Sequence, residues 1–259
     1  AAKSTPTDGA ACPVAGQLPH LRPFGRMERS RSMSTLFDQP PSHPHAETAA
    51  PVISPAGRAY LRLHLTPEVG PIRARNLLQR FGDVESVFSA SIRELEQTEN
   101  VGRKVAEAVF ASRGDDCVNR EIEQAASRGV RILCWADPEY PALLKRINDP
   151  PVCLYVRGRL EAEDGVAVAI VGSRKCSHYG LEQARRFSEG LARAGLTVVS
   201  GLARGIDGVA HHGAVIAGGR TLAVLGNGLN HVYPPEHEEL SQRVIEHGAL
   251  ISELPMDTA

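Results

Sequence analysis

Three short turns carry the residue types best able to do chemistry in this chain. They are Val171-Gly172-Ser173-Arg174, Ser200-Gly201-Leu202-Ala203-Arg204-Gly205-Ile206-Asp207 and Val224-Leu225-Gly226-Asn227-Gly228-Leu229. Small residues let backbone N–H groups approach an anion, and an arginine adds a planar fork of donors suited to phosphate oxygens. The candidate anion-binding set is therefore Gly172, Ser173 and Arg174, then Ser200, Gly201, Arg204 and Gly205, then Gly226, Asn227 and Gly228. Asp207 reads as a cap for the helix that follows its turn, accepting free N–H groups there. Tyr233 is a candidate for stacking on a base, or for a buried ring that props the third turn.

Other chemistries lack their residues. The dinucleotide pattern G-x-G-x-x-G and the NTP-binding pattern G-x-x-x-x-G-K-[ST] are both absent, so no nucleotide cofactor is expected. His211, His212, His231 and His237 show neither H-x-x-x-H nor H-E-x-x-H spacing, so no metal is expected. Ser173 and Ser200 have no adjacent base, and no carboxylate pair sits beside the turns. The edge reads as built to bind, not to catalyse.

Each turn follows a short apolar, mostly β-branched run: Val166 to Val171, Thr197 to Val199, Thr221 to Leu225. Between them lie helix-length segments near 180–194, 208–217 and 235–247, and a last strand is expected near 249–252. Strands alternating with helices predict β-α-β units and a parallel sheet, with the turns gathered beyond the strands' carboxyl ends.

Upstream, apolar spacing predicts a helical domain over 56–113. Within it Glu68-Val69-Gly70-Pro71 and Asn100-Val101-Gly102-Arg103 each place Val-Gly before a basic helix, the pattern of a helix-hairpin-helix pair. The DNA-binding form has glycine where this chain has Glu68 and Asn100, so a structural module and a DNA-binding one both remain open. Residues 114–160 read as a connecting segment packed on the sheet domain, with short strands near Val130–Trp135 and Val152–Val156. Residues 161–259 form the sheet domain. Residues 1–55, rich in Pro, Ser, Ala, His and Arg, read as a disordered leader.

The 259 residues suffice for a sizeable core, and a charged fraction of 23% with a net charge of -1 gives no global attraction to a polyanion. Any such binding must come from a local patch. The 5 cysteines are scattered without a C-x-x-C pair, which fits a reducing cytoplasm better than a disulfide framework. No membrane span is visible. The chain begins Ala-Ala and stops in loop-like sequence, as a fragment does.

The runs VGSRKCSHYG, SGLARGIDGVAHHGAVIAGGRTLAVLGNGLNHVYPPEHEEL and GALISELP closely resemble the DNA-processing protein A (Smf) family, as does DPEYPALLKRINDPPVCLYVRG upstream. The resemblance runs from about residue 57 to the end. It implies a C-terminally truncated Rossmann-like α/β domain preceded by a small helix-hairpin-helix domain of the SAM-like kind. It also implies a cytoplasmic protein of natural transformation that binds single-stranded DNA, loads the RecA recombinase, dimerises when full-length and performs no chemistry. The family's pocket falls on Gly172, Ser173 and Arg174, with Ser200 to Asp207 and Gly226 to Leu229 beside it. His237 stands where family members often have Asn. The alternative is a nucleotide phosphoribohydrolase on a related sheet, whose P-G-G-x-G-T-x-x-E motif does not occur here.

Overall fold

The computed structural model describes residues 52–114 and 116–259, so the leader, with Cys12 and its arginines, lies almost wholly outside the described residues. The helical part comprises α1 (Gly57–Leu65), α2 (Pro71–Phe81), α3 (Val84–Ser89), α4 (Ile92–Glu96) and α5 (Arg103–Ala111). Local rules place their starts. Pro71 opens α2 where its missing N–H is not needed, Asp83 accepts the Ser86 amide at 2.6 Å, and Ser91 and Glu94 form a reciprocal capping box. Leu61, Leu63, Leu77, Val87, Leu95 and Val109 fill the interior.

Both hairpin turns adopt the geometry their sequence pattern predicts, without its usual residue. Glu68 and Asn100 hold left-handed φ values of 67° and 62°, a conformation that costs a non-glycine residue about 1 kcal/mol. Arg73 binds both turns, donating from Nε to the Asn100 carbonyl at 3.0 Å and from Nη1 to the Glu68 carbonyl at 2.5 Å. The Glu68 carboxylate is itself paired with Lys104 at 2.7 Å.

Helix α6 (Cys117–Ser127) leads into β1 (Arg131–Cys134) and β2 (Cys153–Gly158). Then follow β3 (Ala167–Ala169), α7 (His178–Arg193), β4 (Thr197–Ser200), α8 (Ile206–Ile216), β5 (Thr221–Leu225), α9 (Glu238–His247) and β6 (Gly248–Ser252). They make one sheet in the order β1-β2-β6-β5-β4-β3. Strands β3 to β6 are mutually parallel, β2 pairs antiparallel with β6, and β1 pairs antiparallel with β2 at the edge. The sheet is therefore mixed. Residues of the 114–160 segment supply its last two strands, whose connection contains no crossover helix and so returns antiparallel.

Stepping one way across β3, β4, β5 and β6, right-handed connections put α7, α8 and α9 on one face. That face carries the main core: Leu61 and Leu63 of α1, Ala125 of α6 and Val244 of α9 join Cys134, Tyr155, Ala223 and Leu250 of the sheet. Helices α7 and α8 approach closely, because a Cβ on Gly213 would lie 2.1 Å from Ser188 Oγ. On the opposite face Leu133, Leu154, Leu222 and Ala249 pack under Tyr140 and Leu144, while Val171 and Val224 stay exposed. No helix among the described residues is long and apolar enough to cross a membrane.

Candidate functional site

The carboxyl ends of β3, β4 and β5 bring the three turns to one sheet edge, and there the first two are bound to each other while the third is tied to the segment after β6. Asp207 is the knot. The structure corrects its expected role: the N-cap of α8 is Gly205, at φ 81° and without a side-chain cap, and Asp207 lies already inside the first helical turn. From there its Oδ1 accepts the Gly172 amide at 3.3 Å and its Oδ2 accepts the Gly201 amide at 3.2 Å. The carboxylate stays structural, but it ties two neighbouring turns and not its own helix. At the helix N-terminus its negative charge is also favoured by the backbone dipoles.

The glycines serve this packing. A Cβ at Gly172 would lie 2.6 Å from Ile206 Cγ1, one at Gly201 would lie 2.7 Å from Asp207 Oδ2, and one at Gly205 would lie 2.4 Å from the Ser173 carbonyl. In the third turn the Gly228 amide donates to the Thr258 carbonyl at 2.7 Å, and a Cβ there would meet the Pro255 carbonyl at 2.1 Å. Asn227 Nδ2 donates to the Gly228 and His231 carbonyls at 2.9 Å. Ser200 Oγ donates to the Ile170 carbonyl at 2.6 Å and is buried. Ser173 Oγ closes a local turn, accepting the Lys175 amide at 3.1 Å and donating to the Lys175 carbonyl at 2.9 Å. Gly226 alone among these glycines has open space where its side chain would be.

The two arginines have different surroundings. Arg204 forks onto Glu236: Nε donates to Oε1 in a short contact and Nη2 donates to Oε2 at 3.0 Å. Its guanidinium also lies 5.6 Å from the Tyr233 ring, which is exposed and not a buried prop. The Arg204 guanidinium holds the Glu236 carboxyl down to about 2. Arg174 is exposed and has no ion pair among the described residues. It lines a cleft of about 600 Å³ together with Lys175, Cys176, His212, Glu236, His237, Glu239 and Arg243.

Lys175 and Arg243 are cationic groups that sequence reasoning passed over, and it weighs His212 only as a metal ligand. The helical period could have found Arg243, since Glu239, Leu240 and Arg243 recur on one face of α9. His237 Nδ1 donates to the Leu202 carbonyl at 2.8 Å, with its ring over Gly208, where a Cβ would lie 2.6 Å from Cε1. That carbonyl belongs to a buried leucine held at φ 56°.

His211 lies behind the second turn. The Thr221 hydroxyl gives its proton to the Val198 carbonyl, so Thr221 Oγ1 accepts from His211 Nδ1–H at 2.7 Å. Burial lowers the His211 ring to about 4. Among the described residues no three His, Cys, Asp or Glu side chains gather as metal ligands. The arrangement can do one thing well: Asp207 and Glu236 fill donors an anion would otherwise use, and Arg174 and Lys175 remain open on the cleft.

Residues 131–259 match the family model described as DNA recombination-mediator protein A, and residues 65–112 match a helix-hairpin-helix motif. Protein Smf of Escherichia coli (strain K12) is 47% identical over 137 residues, which is 48% of this chain and 37% of the relative. Protein Smf of Synechocystis sp. is 35% identical over 192 residues, 73% of this chain and 48% of the relative. The X-ray structure of DNA processing protein A from Streptococcus pneumoniae superposes with a TM-score of 0.63 at 26% identity, covering 78% of this chain and 69% of that one. The chain spans about half or less of the length of these curated relatives.

Proposed function

Residues 131–259 place the chain in the DNA recombination-mediator protein A (DprA/Smf) family, and we propose that it binds single-stranded DNA at the edge formed by its three turns. The observation that carries this reading is Arg174, exposed and without an ion pair among the described residues, lining the cleft together with Lys175. A phosphate chain laid along this edge meets Arg174 and Lys175, and the same cleft offers it His212 and Arg243. Arg204 joins once a phosphate displaces Glu236, because a guanidinium fork fits either oxyanion. Tyr233 offers a ring face to a base beside it, a contact worth about 1–3 kcal/mol in single-strand complexes. Gly226 leaves its backbone uncovered on the same edge.

The role is binding without chemistry. Both candidate serines direct their hydroxyls to backbone carbonyls of the fold itself. In the cell the reading is of a cytoplasmic, homodimeric mediator that takes up incoming single strands in natural transformation and hands them to the RecA recombinase. Glu68, Lys104 and Arg73 satisfy one another across the two hairpins, which supports a structural role for the helical module. The test is fluorescence anisotropy with a labelled oligothymidine and a duplex of equal length. Tighter binding of the single strand, weakening as salt rises, supports the reading; equal or absent binding of both sinks it.

A further inference from the structure

We propose that Cys134 and Cys153 form a thiol-modification site, a cross-strand dithiol that closes to a disulfide by exchange with a low-molecular-weight disulfide. The two are direct antiparallel partners at the ends of β1 and β2, so their side chains share one face of the sheet. Both are free thiols and fully buried. Scattered in sequence, they meet only through the strand register.

The local hydrogen bonds fix which kind of pair they make. The Cys134 amide donates to Asp137 Oδ2 at 2.7 Å, and the Cys134 carbonyl accepts from the Asp137 amide at 3.0 Å. The Cys134 amide thus points away from β2, as does the Ile132 amide, which donates to the Val52 carbonyl at 2.7 Å, and this alternation marks Cys134 and Cys153 as a non-hydrogen-bonded pair. Such pairs bring Cα atoms to about 4.5 Å, inside the window of about 4.4–6.8 Å that a disulfide requires. A hydrogen-bonded pair holds its side chains further apart, so the ladder position fixed by the turn at Asp137 is the one that favours a bridge.

The exchange balances without further reagents. One cysteine thiolate attacks a sulfur of the small disulfide, breaking its S–S bond and releasing one small thiol. The second cysteine thiolate then displaces the other small thiol and forms the protein S–S bond. The protein loses two protons and two electrons, and the disulfide leaves as two thiols. Burial pushes the Cys134 thiol up to about 11 and holds the Cys153 thiol well above its ordinary range. The closed core therefore keeps both as thiols, and exchange waits for an opening of the cover that α1 provides through Tyr60. Once formed, the bond closes the loop carrying Asp137, Tyr140 and Pro151 and pins β1 to the sheet.

The experiment uses the chain with Cys12, Cys117 and Cys176 replaced by serine, equilibrated folded in a glutathione redox buffer, alkylated and mapped by mass spectrometry. The expected product is one linked peptide pair containing Cys134 and Cys153, two hydrogens lighter and released by dithiothreitol. The oxidised chain is expected to melt above the reduced one. Glutathione held as a mixed disulfide without the linkage, full alkylation of both cysteines under excess glutathione disulfide, or a lower melting temperature on oxidation would each overturn the proposal. If the triple variant does not fold, differential alkylation of the unsubstituted chain reads the same peptide pair.

Discussion

The Asp207 carboxylate accepts the backbone amide of Gly172 at 3.3 Å across 35 residues of chain, and this contact decides how the binding edge works. With its second oxygen on Gly201, Asp207 holds two turns in the positions from which their arginines reach outward. The glycine amides are thereby part of the frame. The cationic side chains are what remains for a ligand.

Asp207→Ala leaves two part-buried amides at this knot without their acceptor, each at the lower end of the about 1–3 kcal/mol that an unpaired buried group costs. Urea unfolding should show a loss of about 1–2 kcal/mol, and single-strand affinity should fall with it. Asp207→Asn keeps one acceptor oxygen but turns an NH2 donor towards the other amide, so it should lose about half as much or more. Equal stability of all three proteins would remove Asp207 from its framing role.

Glu236→Gln removes the charge that competes for Arg204. Single-strand affinity should rise about 3- to 10-fold, the equivalent of freeing one phosphate contact. Adding Arg204→Ala to that variant should cancel the gain. A weaker Glu236→Gln protein would show instead that the ion pair shapes the site.

Acid should destabilise the fold well above the carboxylate range. Burial lowers both His64 and His211 to about 4 in the folded chain, from 6.5 in the unfolded one. Between those values the unfolded state binds more protons, so stability is full above about pH 6.5 and declines as pH falls towards 4. Each histidine contributes a slope of about 1.4 kcal/mol per pH unit, or about 2 kcal/mol by pH 5. Urea titrations at pH 7 and pH 5 read the difference, and His211→Gln should remove about half of it. A flat profile over that window would refute the buried neutral state.

Lys104→Ala tests the helical module. Lys104 is engaged by Glu68 at 2.7 Å, so its removal should change single-strand affinity by less than about twofold once screening is allowed for. A drop comparable to that of a cleft arginine would make the hairpins part of the interface.

Local signals made much of this fold legible. Strands β4 and β5 fall where the apolar runs lie, and α8 and β6 begin within two residues of their expected starts. Strand β3 is shorter than its apolar run because it forms the sheet edge and pairs on one side only, which leaves Val171 73% exposed. The antiparallel pairing of β1 and β2 left no periodic trace, since it depends on two segments separated by a proline-rich connection. The same limit applies to the site. Glycine turns at strand ends are visible in sequence, but Asp207 on Gly172, Glu236 on Arg204 and Thr258 on Gly228 are long-range contacts that only the folded chain assembles. Seen one residue at a time, Arg204 and Arg174 look alike; Glu236 separates them.

The most direct measurement is the salt dependence of single-strand affinity for the unsubstituted chain and for Arg174→Ala, each titrated with the same oligothymidine. If Arg174 neutralises a phosphate, the substitution should weaken binding at low salt at least about 10-fold and make the slope of log affinity against log salt shallower by about 0.7. An Arg174→Ala protein with unchanged affinity and slope would contradict the account, because it would leave this open arginine of the edge without a role.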